Sequence, residues 1–136
     1  MDTSALVAYY IPEPKSDEVN RLLGSVECAA ISTLTEVELV SAVSRRVRAA
    51  EISREDGQRV VSRFLSQVDG GLYRMFPLAR REHGRARELL GSFEHPLRTL
   101  DALHLAVVLR NDLVLVTADV ALKETARRIG APVLFV

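Results

Sequence analysis

Short apolar runs alternate with longer stretches of helical periodicity along this chain. Asp2-Thr3-Ser4 precedes an apolar run from Ala5 to Ile11, and Pro12 and Pro14 break the backbone before a second helix opens near Ser16. Glu27 to Ile31 has the length of a strand, and Ser32 and Thr33 end it. Thr35 to Ala50 reads as a long amphipathic helix, with Val37, Leu39, Val40 and Val43 on its apolar side and Arg45, Arg46 and Arg48 near its C-terminal end, where cations suit the helix dipole. Ser53 and Asp56 form a capping signal for a helix carrying Val60, Val61, Phe64 and Leu65, and Gly70-Gly71 stops it. Leu72 to Leu78 predicts a second strand, and a charged helix from Ala79 to Phe93 follows. Leu113 to Val116 is short, continuous and apolar, the mark of a buried strand. A helix ending at Ile129-Gly130 and a last strand from Val133 to Val136 close the chain. Strands alternating with helices predict an α/β fold with a mostly parallel sheet covered by helices, in which ligands bind beyond the carboxyl ends of the strands.

One helix stands apart. From Leu100 to Leu109 every residue is apolar except Asp101 and His104, so the segment Thr99 to Arg110 has no polar face and should lie inside the protein. A carboxylate on such a helix needs a partner: an arginine, several hydrogen-bond donors or a metal ion. An N-terminal position also suits an acid, because the first-turn N–H groups are unpaired. His104 fits a hydrogen-bonded core residue better than a general base.

Composition narrows the function. The 136 residues suit one domain, 1–136, with 48% hydrophobic and 26% charged residues, as in ordinary globular proteins. Lysine plus arginine balances aspartate plus glutamate at 18 each, so there is no global attraction to nucleic acid or membranes. Cys28 alone supports neither a disulfide framework nor a multi-cysteine zinc site. No signal peptide or membrane span is legible at the N-terminus, and a cytoplasmic location is expected.

Four acids avoid obviously wet faces: Asp2 at the chain start, Glu38 among apolar neighbours, Asp101, and Asp119 just past a strand. Each could be an ordinary cap or surface group. At one end of a parallel sheet, however, four carboxylates form a hard-oxygen set suited to Mg²⁺ or Mn²⁺, one or two ions, and such sites serve phosphoryl chemistry. A haloacid-dehalogenase-like phosphatase would need a second aspartate where Ser4 stands, and a receiver domain lacks its strand-end aspartate and lysine.

Four segments carry a resemblance. Asp2-Thr3-Ser4-Ala5-Leu6, Ser32-Thr33-Leu34-Thr35-Glu36-Val37-Glu38, Arg98-Thr99-Leu100-Asp101-Ala102-Leu103-His104-Leu105-Ala106 and Thr117-Ala118-Asp119-Val120-Ala121-Leu122 resemble, in order, the motifs of PIN-domain ribonucleases, most closely the VapC toxins of toxin–antitoxin pairs. The resemblance implies a PIN-like three-layer α/β/α sandwich and a metal-dependent endoribonuclease. It implies that Asp2, Glu38 and Asp101 bind Mg²⁺ or Mn²⁺, and that Asp119 supports a second ion or the attacking water. The Ser32-x-x-Thr35-x-x-Glu38 spacing selects Glu38 over Glu36. Thr3, Ser4 and Thr117 match supporting polar positions. The resemblance further implies a structured RNA substrate such as tRNA or rRNA, products with a 5′-phosphate and a 3′-hydroxyl, a homodimer, and a cognate VapB-like antitoxin. Arg98, then Arg45 and Arg46, are candidates to hold the RNA backbone. A non-catalytic PIN-like interaction module with a vestigial metal site, or another metal-dependent phosphohydrolase, is the alternative. Members of the family place a few apolar residues ahead of the first aspartate as a central strand. Only Met1 stands there in this sequence, so either Asp2 is weakly anchored, with the terminal amine near the metals, or Met1 is not the true start and an N-terminal strand is missing.

Overall fold

Seven helices and four short strands alternate over residues 1–136 of the computed structural model. In order they are α1 (Thr3–Tyr10), α2 (Ser16–Ser25), β1 (Ala29–Ser32), α3 (Thr33–Arg48), α4 (Arg54–Asp69), β2 (Tyr73–Phe76), α5 (Arg80–Gly91), α6 (Thr99–Arg110), β3 (Leu115–Thr117), α7 (Val120–Ile129) and β4 (Val133–Phe135). Local chemistry sets the helix starts. Asp2 caps α1 by accepting from the Ala5 N–H at 3.1 Å, Ser53 caps α4 through the Asp56 N–H at 3.0 Å, and Asp119 caps α7 through the Leu122 N–H at 3.0 Å. Gly130, at φ 81°, ends α7 in the left-handed conformation that glycine adopts without strain.

Two elements differ from the sequence reading. The apolar side of α3 is narrower than its pattern suggests: Leu39 and Val43 are buried, whereas Val37 is 69% exposed because it points away from the side that Leu39 and Val43 share. β3 begins at Leu115 rather than Leu113. Asp112, at φ 51°, turns the chain, and the Leu113 N–H returns to the Val108 carbonyl of α6, so Leu113 and Val114 belong to the helix exit.

The strands pair in parallel as β1 with β2 and β3 with β4, Ile31 opposite Met75 and Val116 opposite Leu134. The parallel pairing expected from the sequence is thus present as two ribbons. Met1 and Asp2 lie between them. The Met1 ammonium donates to the Ala30 carbonyl of β1 at 2.6 Å, and the Asp2 N–H donates to the Val116 carbonyl of β3 at 3.0 Å. Beside this bridge is an apolar cavity of about 300 Å³, with Met1, Leu23, Ala29, Ile31, Val107 and Leu115 in its wall. Burial pushes the pKa of the Met1 ammonium below its ordinary value, and the neighbouring Asp2 charge only partly offsets this.

Each ribbon has its own apolar core. Leu6, Val7, Ile31, Leu39, Phe64 and Tyr73 join α1, α3 and α4 to the first pair, and Leu89, Leu105, Val108, Leu115, Leu122 and Ala126 join α5, α6 and α7 to the second. Burial of one such leucine or phenylalanine stabilises the fold by about 1.5–3 kcal/mol. This packing brings the carboxyl ends of β1 and β3 towards the N-terminal parts of α1, α3, α6 and α7, where the four acids reside. No helix is long and apolar enough to cross a membrane.

Candidate active site

Asp2 is firmly held, contrary to the expectation of a loose chain start. It is 3% exposed. Ser4 Oγ donates to its carboxylate at 2.8 Å and Thr117 Oγ1 at 2.6 Å, in addition to the Ala5 N–H. The same two hydroxyls receive backbone donors, Ser4 Oγ from the Ala118 N–H at 2.8 Å and Thr117 Oγ1 from the Asp119 N–H at 2.9 Å. Short-range helix capping and a contact 115 residues away in sequence together anchor it.

Glu38 projects from the second turn of α3. Its carboxylate accepts a short hydrogen bond from Thr3 Oγ1 and one of 2.7 Å from His104 Nε2. Burial pushes the Glu38 pKa up, but these two donors outweigh it and hold the group below its usual range. His104 is buried and hydrogen-bonded, as its apolar surroundings predicted. Its partner was not predictable from spacing, since Glu38 lies 66 residues away.

Asp101 sits in the first turn of α6, and Asp119 is the cap of α7. A single guanidinium joins them. Arg98 Nε and Nη2 reach Asp101 at 2.7 and 3.3 Å, and Nη2 reaches Asp119 at 2.8 Å. Burial raises the Asp119 pKa, but the Leu122 N–H and Arg98 bring it below the ordinary value. The same two acids raise the pKa of Arg98, so it stays charged.

These contacts form two hydrogen-bonded sets. Asp2 is bonded to Thr117, Thr117 to Asp119, Asp119 to Arg98 and Arg98 to Asp101. One turn along α6 from Asp101, His104 bonds Glu38, and Glu38 bonds Thr3, the neighbour of Asp2. All four predicted acids and all three supporting residues, Thr3, Ser4 and Thr117, therefore fall in one set or the other, and the two sets adjoin through the backbone of α6 and of Asp2-Thr3. As placed, no three acidic, histidine or cysteine side chains form a ready cage for an ion. The donor chemistry fits a hard divalent cation even so, because Asp101 and Asp119 already share a positive charge and every acid presents carboxylate oxygen.

The arginines divide. Arg98 joins Asp101 to Asp119, whereas Arg46 is engaged elsewhere, paired with Glu13 and Glu51. Arg45 lies seven residues beyond Glu38 on α3, roughly 10 Å along the axis. What the sequence did not reveal is the double engagement of Arg98. Its spacing of three residues from Asp101 on a helix is the one signal that could have pointed there.

Comparison with known proteins places the chain in a family. The PIN domain family model matches residues 1–128. The chain is 36% identical to Ribonuclease VapC47 of Mycobacterium tuberculosis, over 96% of this chain and 90% of that protein. It is 30% identical to Ribonuclease VapC46 of the same species, over 98% of this chain and 94% of the relative. The crystal structure of FitAcB from Neisseria gonorrhoeae superposes with a TM-score of 0.71 over 98% of this chain and 94% of that one, at 20% identity, which speaks for the fold alone. With its fold, its ordered acidic motifs and a match over nearly its whole length, this chain belongs to the PIN-domain family.

Proposed function

We propose that this protein is a divalent-metal-dependent endoribonuclease and the toxin of a toxin–antitoxin pair, hydrolysing phosphodiester bonds of a structured RNA such as tRNA or rRNA. The observation that carries this reading is the pair of adjoining polar sets, one through Asp2, Asp119 and Asp101 and the other through Glu38, in a PIN-domain chain whose relatives are named ribonucleases.

In this reading Asp2, Glu38, Asp101 and Asp119 hold Mg²⁺ or Mn²⁺. When bound, such a cation lowers the pKa of water and neutralises charge on the phosphate. The protein's own side chains supply the positioning. Thr3 and His104 fix Glu38, Ser4 and Thr117 fix Asp2, and the α7 cap fixes Asp119, so the acids are oriented before substrate arrives. Arg98, at the rim, is placed to hold a phosphate. The balanced net charge leaves recognition to RNA shape rather than to unspecific attraction.

A cognate VapB-like antitoxin and a homodimer complete the proposal, in the cytoplasm. Support for partner surfaces comes from apolar side chains left uncovered, with Phe93, Val37 and Val120 the most exposed. The deciding experiment incubates a structured RNA with Mn²⁺ and either wild type or Asp101→Asn, then sequences the cleaved ends. Wild type should give 5′-phosphate ends, and the variant should lose at least about 100-fold in rate. Equal activity in both proteins would return the chain to the class of non-catalytic modules.

A further inference from the structure

Arg98 occupies an unusual position for a substrate-binding arginine. Its side chain is 69% exposed, yet its guanidinium turns back over the first turn of α6 onto two partly buried carboxylates. Its hydrogen bonds go to Asp101 and Asp119 and to nothing else. No packing contact is needed to explain the pose: two acids close together repel, and a cation between them removes the repulsion.

A divalent ion would meet the same need through the same oxygens. A guanidinium and a divalent ion seated on the same two carboxylates are like charges in close approach and repel each other, so Asp101 and Asp119 favour one of them at a time. Because the arginine stem is exposed, an outward swing buries nothing and breaks only the two pairs that the ion would replace.

We propose, on the reading of the site as a metal centre, that Arg98 is an exchangeable counter-cation: it neutralises Asp101 and Asp119, yields them to an incoming divalent ion, and turns its freed guanidinium to the RNA phosphate. Metal loading and RNA binding are then coupled through one side chain. By linkage, each strengthens the other. Arg98→Met removes the competing charge and the phosphate donor while keeping an unbranched stem, so it should tighten metal binding and uncouple it from RNA binding.

Three measurements on the full chain test this. Arginine Nε NMR spectra of wild type are recorded as Mg²⁺ is added, and the Arg98 signal should move to the position of a solvent-exposed arginine. Calorimetric titration with Mn²⁺ should give a Kd about tenfold lower for Arg98→Met than for wild type. Binding of an RNA whose bridging 3′ oxygen at the cleaved position is replaced by a methylene group, a linkage that water does not hydrolyse, should be strengthened by Mg²⁺ in wild type and not in Arg98→Met. An Arg98 signal that stays in place at saturating Mg²⁺ overturns the proposal even if the Kd falls, since removing a nearby charge tightens binding without any exchange. An unchanged or higher Kd in Arg98→Met also overturns it, provided Asp101→Asn abolishes the binding heat and melts normally. If neither wild type nor Arg98→Met binds Mn²⁺, the metal reading of the whole site fails and takes this proposal with it.

Discussion

His104 Nε2 lies 2.7 Å from Glu38 Oε2, joining α6 to α3 across 66 residues of sequence. The ring is buried on an otherwise apolar helix, and Thr3 shares the same carboxylate. His104→Leu keeps the apolar volume but strips Glu38 of one donor, so it should destabilise the fold by about 1–3 kcal/mol. It should also raise the Glu38 pKa, readable from the carboxyl ¹³C shift. His104→Gln, which retains an N–H donor, should recover part of both effects. Unaltered stability in His104→Leu would show that the contact contributes nothing.

Acid should unfold the protein through a small set of carboxylates. Burial alone pushes Glu38, Glu82 and Asp119 up, but specific donors bring all three below their ordinary values of 4.5, 4.5 and 3.8. For Glu82 those donors are its own N–H, the Ala79 N–H at 3.0 Å, and Arg81 at 2.8 Å. A depressed native pKa adds stability that is present above the ordinary value and disappears as pH falls through the native one. Urea midpoints should therefore hold steady down to about pH 4.5 and decline below it, with a shallower decline in Glu82→Gln.

Thr117 serves two acids with one hydroxyl, donating to Asp2 and accepting from the Asp119 N–H. It is fully buried. Thr117→Val keeps the shape and leaves both partners unsatisfied, which should cost about 1–3 kcal/mol in chemical denaturation and lower RNA cleavage through a misplaced Asp2. Thr117→Ser retains the hydroxyl and should retain most of the activity.

Phe93 follows α5 at φ 57°, a left-handed conformation that a bulky residue adopts only under strain, and its side chain is 93% exposed. Phe93→Gly relieves that strain and loses almost no packing. Thermal unfolding should register a gain of roughly 0.5–1 kcal/mol, smaller than the full left-handed penalty because glycine also gains freedom when unfolded. A loss of stability would mean that the aromatic ring has a partner in solution.

The helices were legible because local signals wrote them: Asp2, Ser53 and Asp119 as caps, Pro12 and Pro14 as breakers, Gly130 as a terminator. The ends of β3 were not, because the turn at Asp112 is decided by the return of the Leu113 N–H to α6 rather than by apolar character. The pairing of the strands as two ribbons was equally hidden, since periodicity marks a strand but not its neighbour. At the site, the acids stood out as carboxylates in the wrong company. Their connections did not, because Glu38 with His104 and Arg98 with Asp119 meet only through tertiary packing.

The bridge made by Met1 and Asp2 bears on how the protein is handled in the laboratory. The Met1 nitrogen is held by the Ala30 carbonyl of β1 and the Asp2 N–H by the Val116 carbonyl of β3, so a purification tag fused ahead of Met1 starts between the two ribbons, one residue from Asp2. A flexible Gly-Ser tag would bring solvated backbone into an apolar slot, whereas a few β-branched residues could extend along both open edges. The Val136 carbonyl is itself held by Lys15 at 2.7 Å, so a handle after the last residue needs a spacer. Activity compared between differently tagged preparations would report the tag as much as the protein.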